Sequence, residues 1–197
     1  MSADWTTEAP AKDRRVRRSR AALMRAAVDL VSERGTAAVP VSDIADAADV
    51  SRQVLYQQFG DRDALVLEAA LDLVRRELLD GLPAPDERAG LLALARHFAA
   101  HRRFYRALLT GPAAFALNKA LTSVFLPLNR QHIGRVLGDR LDAQGVEDLA
   151  AFLTGGAAAV VNTWVVEGPE PLDAAEFTDR LVRVRAVVTE LITKESR

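Results

Sequence analysis

An all-α fold is the class this sequence predicts, and three observations carry the prediction. Apolar residues recur at three- and four-residue spacing through most of the chain, Gly and Pro fall between those periodic stretches, and no alternating apolar and polar run is long enough to propose a sheet. The 197 residues are 49% hydrophobic and carry 26 Lys plus Arg against 27 Asp plus Glu, an ordinary globular composition that excludes disorder as the main state. With no cysteine there is no disulfide framework, no thiolate zinc site and no cysteine nucleophile. No apolar stretch opens the chain, so a cytoplasmic protein is expected.

Residues 1–16 mix Pro10, alanine and charges and are expected to form a flexible basic arm, with the ordered chain starting near Arg17. Leu23, Ala27, Leu30 and Val31 then mark a first helix that stops at Gly35, where glycine takes the left-handed cap conformation. Two patterns of barely two turns follow at 44–48 and 54–59, too short to hold without packing on their neighbours. Leu67, Leu71, Val74 and Leu78 stripe a fourth helix that ends where Gly81, Pro83 and Pro85 crowd together. The expected division is a compact three-helix unit over 17–62, a connecting helix over 63–81 and a helical C-terminal domain over 82–197. In that domain Leu91 to Tyr105 read as one or two helices, another runs to about Phe125, and Pro127 interrupts or kinks the next, which continues to Gly145. Two strong helices close the chain, one over about 147–167 and one opening at Asp173 with Glu176 three residues on, a capping-box spacing.

The near-zero net charge conceals a division. Residues 12–25 hold seven basic side chains against one acidic, a net of +6, whereas residues 26–80 carry a net of -6. A basic segment of this kind either meets phosphates or is a solvated terminus. Next to it, VSDIADAADVSRQVLYQQF over 41–59 has the spacing of a helix-turn-helix. Ile44, Ala48, Val50, Leu55 and Phe59 can all face inward, and Ser51 can cap the second helix. Arg52, Gln53, Tyr56 and Gln57 then face outward. Arginine suits guanine edges, glutamine suits adenine edges and a tyrosine hydroxyl suits a phosphate oxygen.

The ordered run from RAALMRAAVDLVSERG through VSDIADAA and VLYQQF to GDRDAL, residues 17–74, resembles the N-terminal domain of the tetracycline-repressor (TetR) family of bacterial transcriptional regulators. The resemblance implies a phosphate contact for Tyr56 and for Arg62, which stands where the family usually has lysine. It also implies base or nearby backbone contacts for Ser42, Arg52, Gln53 and Val54, with Ser51 and Gln57 completing the DNA-facing set. Arg14, Arg15, Arg17 and Arg18 of the arm can reach flanking phosphates or a narrow minor groove. Pro40 stands where the family often has Ser or Thr, Asp49 replaces a turn glycine and Gln58 a common histidine.

Residues 149–166 hold no charge, at the lower edge of a membrane span, yet Ala151, Gly155 and Ala159 form a small-residue stripe that suits close helix packing. A dimer interface is expected there, completed by Phe177, Leu181, Val184 and Val188 of the last helix, and no membrane partner is expected. The resemblance implies the same, since the last two long helices of each subunit form the family's four-helix dimer interface. His97, Phe98, His101, Tyr105, Phe125, Asn129, Phe152 and Trp164, with His132 nearby, either line a largely apolar effector pocket or are ordinary core. His97 and His101 at i, i+4 suit one metal, but no glutamate lies between them as in HExxH and no third ligand is evident, so neither metal nor cofactor is expected. The expected function is a homodimeric regulator, a repressor released from a pseudo-palindromic operator in double-stranded DNA by a small effector. The alternatives are an all-α enzyme or an adaptor acting through the C-terminal cavity; no GxSxG, Walker loop or GxGxxG after a strand supports an enzyme.

Overall fold

The computed structural model describes residues 9–80, 86–137 and 140–195. Among them the regular elements are helices: α1 (Ala9–Arg34), α2 (Val41–Ala47), α3 (Arg52–Phe59), α4 (Arg62–Val74) running on into a π-helical turn (Arg75–Leu79), α5 (Glu87–Ala100), α6 (Arg102–Leu109), α7 (Ala114–Leu137), α8 (Ala143–Glu167) and α9 (Ala174–Glu195). Their ends follow from local chemistry. Ser51, Asp61, Asp86 and Asp142 each accept an amide hydrogen bond from the first turn of the helix that follows, and Asp173 accepts those of Ala175 and Glu176 at 2.9 Å. Gly35 closes α1 with φ of 66°.

Three boundaries differ from the sequence expectation, one of them the helix expected to continue to Gly145, which ends at Leu137 while Gly145 lies inside α8. α1 begins at Ala9, so residues 9–16 are helical rather than loose. Pro10 falls in the first turn, where its missing amide is not needed, and Ala, Lys and Arg after it favour a helix. α7 runs unbroken through Pro127, which is exposed; packing along α8 outweighs the single bond the proline removes.

One core cluster joins the helix-turn-helix to the C-terminal helices. Leu23, Ala27 and Val31 of α1 meet Ile44, Leu55, Phe59 and Leu65, and the same cluster extends through Leu73 and Leu78 to Phe98, Tyr105, Leu117, Trp164 and Phe177. α4 therefore shares apolar surface with both the helix-turn-helix and the C-terminal body. A smaller cluster of Ile133, Leu137 and Ala150 closes the far end of α7 and α8. Trp164 stacks on Phe177 with ring centroids 4.0 Å apart and planes at 7°.

The C-terminal end of α8 is held by a buried cation. Arg102, 8% exposed, donates to the carbonyls of Val165 at 3.0 Å and Pro169 at 2.9 Å and also to that of Gly168, satisfying helix-end acceptors that have no partner of their own. Gly168 is required by close approach: a Cβ there would stand 2.4 Å from the carbonyl oxygen of Trp164. α8 is by length and composition apolar enough to cross a membrane, with a mean hydropathy of 1.6. It lies along α7, and its Asn162 and Thr154 take partners there, Asn118 and Asn129.

Candidate nucleic-acid interface and effector cavity

α2 and α3 are joined by a turn in which Asp49 takes φ of 52° and the Val50 amide donates to the Ala45 carbonyl at 3.0 Å. Aspartate tolerates the left-handed region better than most side chains, which is how this turn forms without glycine. Leu55 and Phe59 are buried, leaving Arg52, Gln53, Tyr56 and Gln57 exposed on one face of α3, with Tyr56 52% exposed. The hydroxyl of Ser51 accepts from the Val54 amide at 3.4 Å, and Val54 is half-buried.

Around this face the polar side chains have defined partners. Pro40 provides no side-chain cap to α2. Ser42 donates to Asp43 at 2.9 Å, and Arg34 pairs with Asp43 at 2.6 Å. The Arg34 and Ser42 hydrogen bonds hold the Asp43 carboxyl below its ordinary range. Arg62 pairs with Asp63 at 2.8 Å. Gln58 donates to Ser19 at 2.8 Å and its carbonyl accepts from Arg20, whose guanidinium lies 4.3 Å over the Phe59 ring and pairs with Glu68. Arg20 therefore fastens α1 to the end of α3. Arg14, Arg15, Arg17 and Arg18, two to six residues earlier, are exposed on the same helix, so the positive charge is carried by an element that packs beside the reading helix.

A cavity of about 430 Å³ lies between α5, α7, α8 and α9. Leu91, Leu94, Phe98, Leu121, Phe125 and Val161 make its apolar wall. At one end is a polar network: Arg185 pairs with Glu87 at 2.6 Å and donates to Asn129 at 3.3 Å, Asn129 donates to Thr154 at 2.8 Å, and His132 lies 3.6 Å from Glu87. Burial, with Arg185 and Arg135 nearby, lowers the pKa of His132 despite the opposing pull of Glu87. The arrangement suits a small molecule that is apolar along most of its length and polar at one end.

Of the sequence-predicted pocket residues, Phe98, Phe125, Asn129 and His132 line this cavity. His97, His101, Tyr105, Phe152 and Trp164 do not. Trp164 is occupied by its stack on Phe177, and Phe152 is 68% exposed on the outside of α8. His97, His101 and Tyr105 form a separate group with Glu77 on the far side of Phe98. His97 Nδ1 is 3.1 Å and His101 Nε2 2.7 Å from the same Glu77 oxygen, and His97 Nε2 is 2.8 Å from the Tyr105 hydroxyl. Burial, together with His101, pushes the His97 pKa down to about 4, and burial raises that of Tyr105. Burial alone would raise Glu77, but His101 and His97 outweigh it and hold the carboxyl below its ordinary range. Sequence reasoning missed Glu77 as the third member, and it missed Glu87, Thr154 and Arg185 in the cavity, because each meets its partners from a distant helix and no local spacing marks it.

The candidate interface residues divide as well. Ala151, Gly155 and Ala159 are exposed along α8 beside Phe152, and Val184 is 52% exposed on α9 with Val188 half-buried. A Cβ at Gly155 or Gly156 would meet nothing within 4 Å, so nothing among the described residues calls for glycine in the middle of this helix. Phe177 and Leu181 are corrected: at 2% and 4% exposure they belong to the chain's own core, because the stack on Trp164 turns that side of α9 inward.

Residues 23–69, which run from the second half of α1 into α4, match the family model described as bacterial regulatory proteins, tetR family. The HTH-type transcriptional regulator AlkX of Mycobacterium tuberculosis is 33% identical over 134 residues, which cover 65% of this chain and 57% of that protein's length. The solved structure of the TetR family repressor AlkX from a Dietzia species, implicated in biodegradation of n-alkanes, is 24% identical with a TM-score of 0.57, covering 87% of this chain and 97% of its own. The dihydroxyacetone kinase operon activator DhaS is 17% identical with a TM-score of 0.60, covering 88% and 97%. At such identities the two structures share the fold with this chain.

Proposed function

We propose that the chain, whose residues 23–69 match the tetR family model, is a member of that family of bacterial regulatory proteins and acts in the cytoplasm as a homodimeric, DNA-binding regulator of transcription, a repressor released from a pseudo-palindromic operator by a small effector. The observation that carries the reading is the outward face of α3, where Arg52, Gln53, Tyr56 and Gln57 stand exposed while Leu55 and Phe59 anchor the opposite side. Ser42, Ser51, Val54 and Arg62 frame that face, and the helical run of Arg14, Arg15, Arg17 and Arg18 supplies phosphate contacts that the acidic surroundings of α3 do not. Arg62 must exchange Asp63 for phosphate to take part.

Residues 17–62 form the reading head in this proposal, 63–81 the connector and 82–197 the effector and dimer region. The second subunit covers the exposed stripe Ala151, Gly155 and Ala159 with Phe152 and Val184. Two mid-helix glycines that the subunit does not need each cost about 1 kcal/mol against alanine, and a partner helix in close contact offsets that cost. Two-fold symmetry then presents two α3 helices to half-sites spaced by helical turns. The effector occupies the 430 Å³ cavity with its polar end at Arg185, His132 and Asn129. The apolar wall of Leu91, Leu94, Phe98, Leu121, Phe125 and Val161 supports a mainly apolar effector. To reverse a 1:99 balance between operator-competent and released forms, the effector must favour the released form by about 5.5 kcal/mol.

Selection of bound sites from random duplex DNA tests the proposal. The expected winner is a two-fold symmetric site whose affinity falls steeply with salt. No enrichment at low salt with folded dimer overturns DNA reading and leaves the C-terminal cavity as the active part.

A further inference from the structure

The group formed by Glu77, His97 and His101 takes no part in the reading face or the effector cavity, and its chemistry is that of a metal site. One ligand atom from each of the three lies within 4.8 Å of the other two. Two imidazole nitrogens and one carboxylate are the His₂Glu donor set of zinc, whose bonds of about 2.0 to 2.2 Å place tetrahedral ligands about 3.3 Å apart. The two contacts to Glu77, 3.1 and 2.7 Å, are already near that spacing.

The surroundings of His97 supply an independent argument. Its Nε2 is 2.8 Å from the Tyr105 hydroxyl, which in turn is 3.4 Å from the Ala70 carbonyl. The Tyr105 hydroxyl holds Nε2 as the ring nitrogen turned away from Glu77, so Nδ1 is the one that faces the carboxylate, where a metal ion would take the place of the proton between them. One ring nitrogen held by an outer hydrogen bond and the other free toward a carboxylate is the arrangement of a metal-binding histidine. His97 is 5% exposed, whereas His101 and Glu77 border solvent, which gives an ion an access path and a water for the fourth position. Glu77 also sits in the π-helical turn Arg75–Leu79, where one extra residue per turn re-aims a side chain, a distortion frequent at functional sites.

We propose that Glu77, His97 and His101 bind a divalent transition-metal ion of the zinc class, with Tyr105 as the positioning residue. The ion would join the end of the connector, which begins at the reading head, to α5 and its C-terminal cap, so that its occupancy restrains the angle between DNA-binding and effector regions.

The test uses the full chain, untagged and stripped with chelator, titrated with Co(II) as a spectroscopic probe and then with Zn(II) in competition. Background is low, since the chain has no cysteine and three histidines. One Co(II) per chain is expected, with the intense visible bands of four- or five-coordination, displaced by Zn(II). E77Q and H101A, at solvent-bordering positions, should each weaken binding at least about tenfold and Y105F by about 10 to 100-fold, while H132A leaves it unchanged. Circular dichroism confirms that each variant is folded. Absence of stoichiometric binding, or full affinity in the E77Q/H101A double variant, overturns the site; full affinity in Y105F overturns the positioning role. Operator binding by the stripped protein is measured separately, so failure of the metal site is distinguishable from failure of DNA reading.

Discussion

Replacing Arg52 with alanine tests the reading face more directly than any other change. Arg52 opens α3 and is exposed, so its removal disturbs no buried contact and folding stability should move by no more than about 0.5 kcal/mol. At the operator the same change removes a guanidinium from a base edge, worth about 1 to 3 kcal/mol for each head. A symmetric dimer incurs that loss twice, about 2 to 6 kcal/mol, which is a drop in affinity of about 30-fold to 10⁴-fold. The assay is fluorescence anisotropy on the selected operator and on variants of each half-site position, over a salt series. Arg52→Ala should relax preference at one symmetric pair of positions, with thermal stability unchanged. Removing Arg17 or Arg18 should instead weaken all sequences alike and flatten the salt slope by about 0.9 for each phosphate that is no longer neutralised. If Arg52→Ala keeps both affinity and preference while folded and dimeric, the outward face of α3 does not read DNA.

Three further outcomes are expected. Arg102→Ala leaves the carbonyls of Val165, Gly168 and Pro169 without their buried donor and should cost about 3 to 5 kcal/mol, seen in a thermal melt as a fall of about 6 to 20 °C; a shift under about 2 °C would mean water replaces the guanidinium. Phe152→Asp, on a side chain 68% exposed in the subunit, should leave the helical content intact but give monomers by sedimentation and abolish operator binding, and a dimer of normal affinity would place the interface elsewhere. Because the pKa of His132 is lowered in the folded chain, its contribution to stability is complete above the unfolded value near 6.5 and is lost as pH falls from there through the folded value. His132→Gln should therefore flatten that part of the stability profile in denaturant titrations, and an unchanged profile would refute the assignment.

Legibility followed the range of the interactions involved. The helix-turn-helix was readable because its determinants are neighbours: Ser51 caps α3 three residues before Val54, and the buried and exposed faces alternate within eight residues. The spacing that marked Phe177, Leu181, Val184 and Val188 as one stripe was correct as a helix face, yet Phe177 and Leu181 turn into the core while Val184 turns out. Period alone cannot tell which neighbour an apolar stripe meets. The aromatic candidates divided for the same reason, Phe98 and Phe125 toward the cavity and Trp164 into a stack. Glu77 escaped notice because it reaches His97 across 20 residues and only after a π-helical turn.

What the sequence determined by itself was most of the helices, the caps at Gly35, Ser51 and Asp173 and the chemical character of α3's outer face, since amide capping, helical period and side-chain chemistry act within a few residues. Tertiary structure alone decided which apolar residues enclose a cavity and which fill the core, that the basic segment rides on a helix fastened by Arg20, and that two histidines acquire a carboxylate partner. Burial of apolar surface has no direction, so the same leucines and phenylalanines serve either purpose until helices far apart in the chain are brought together.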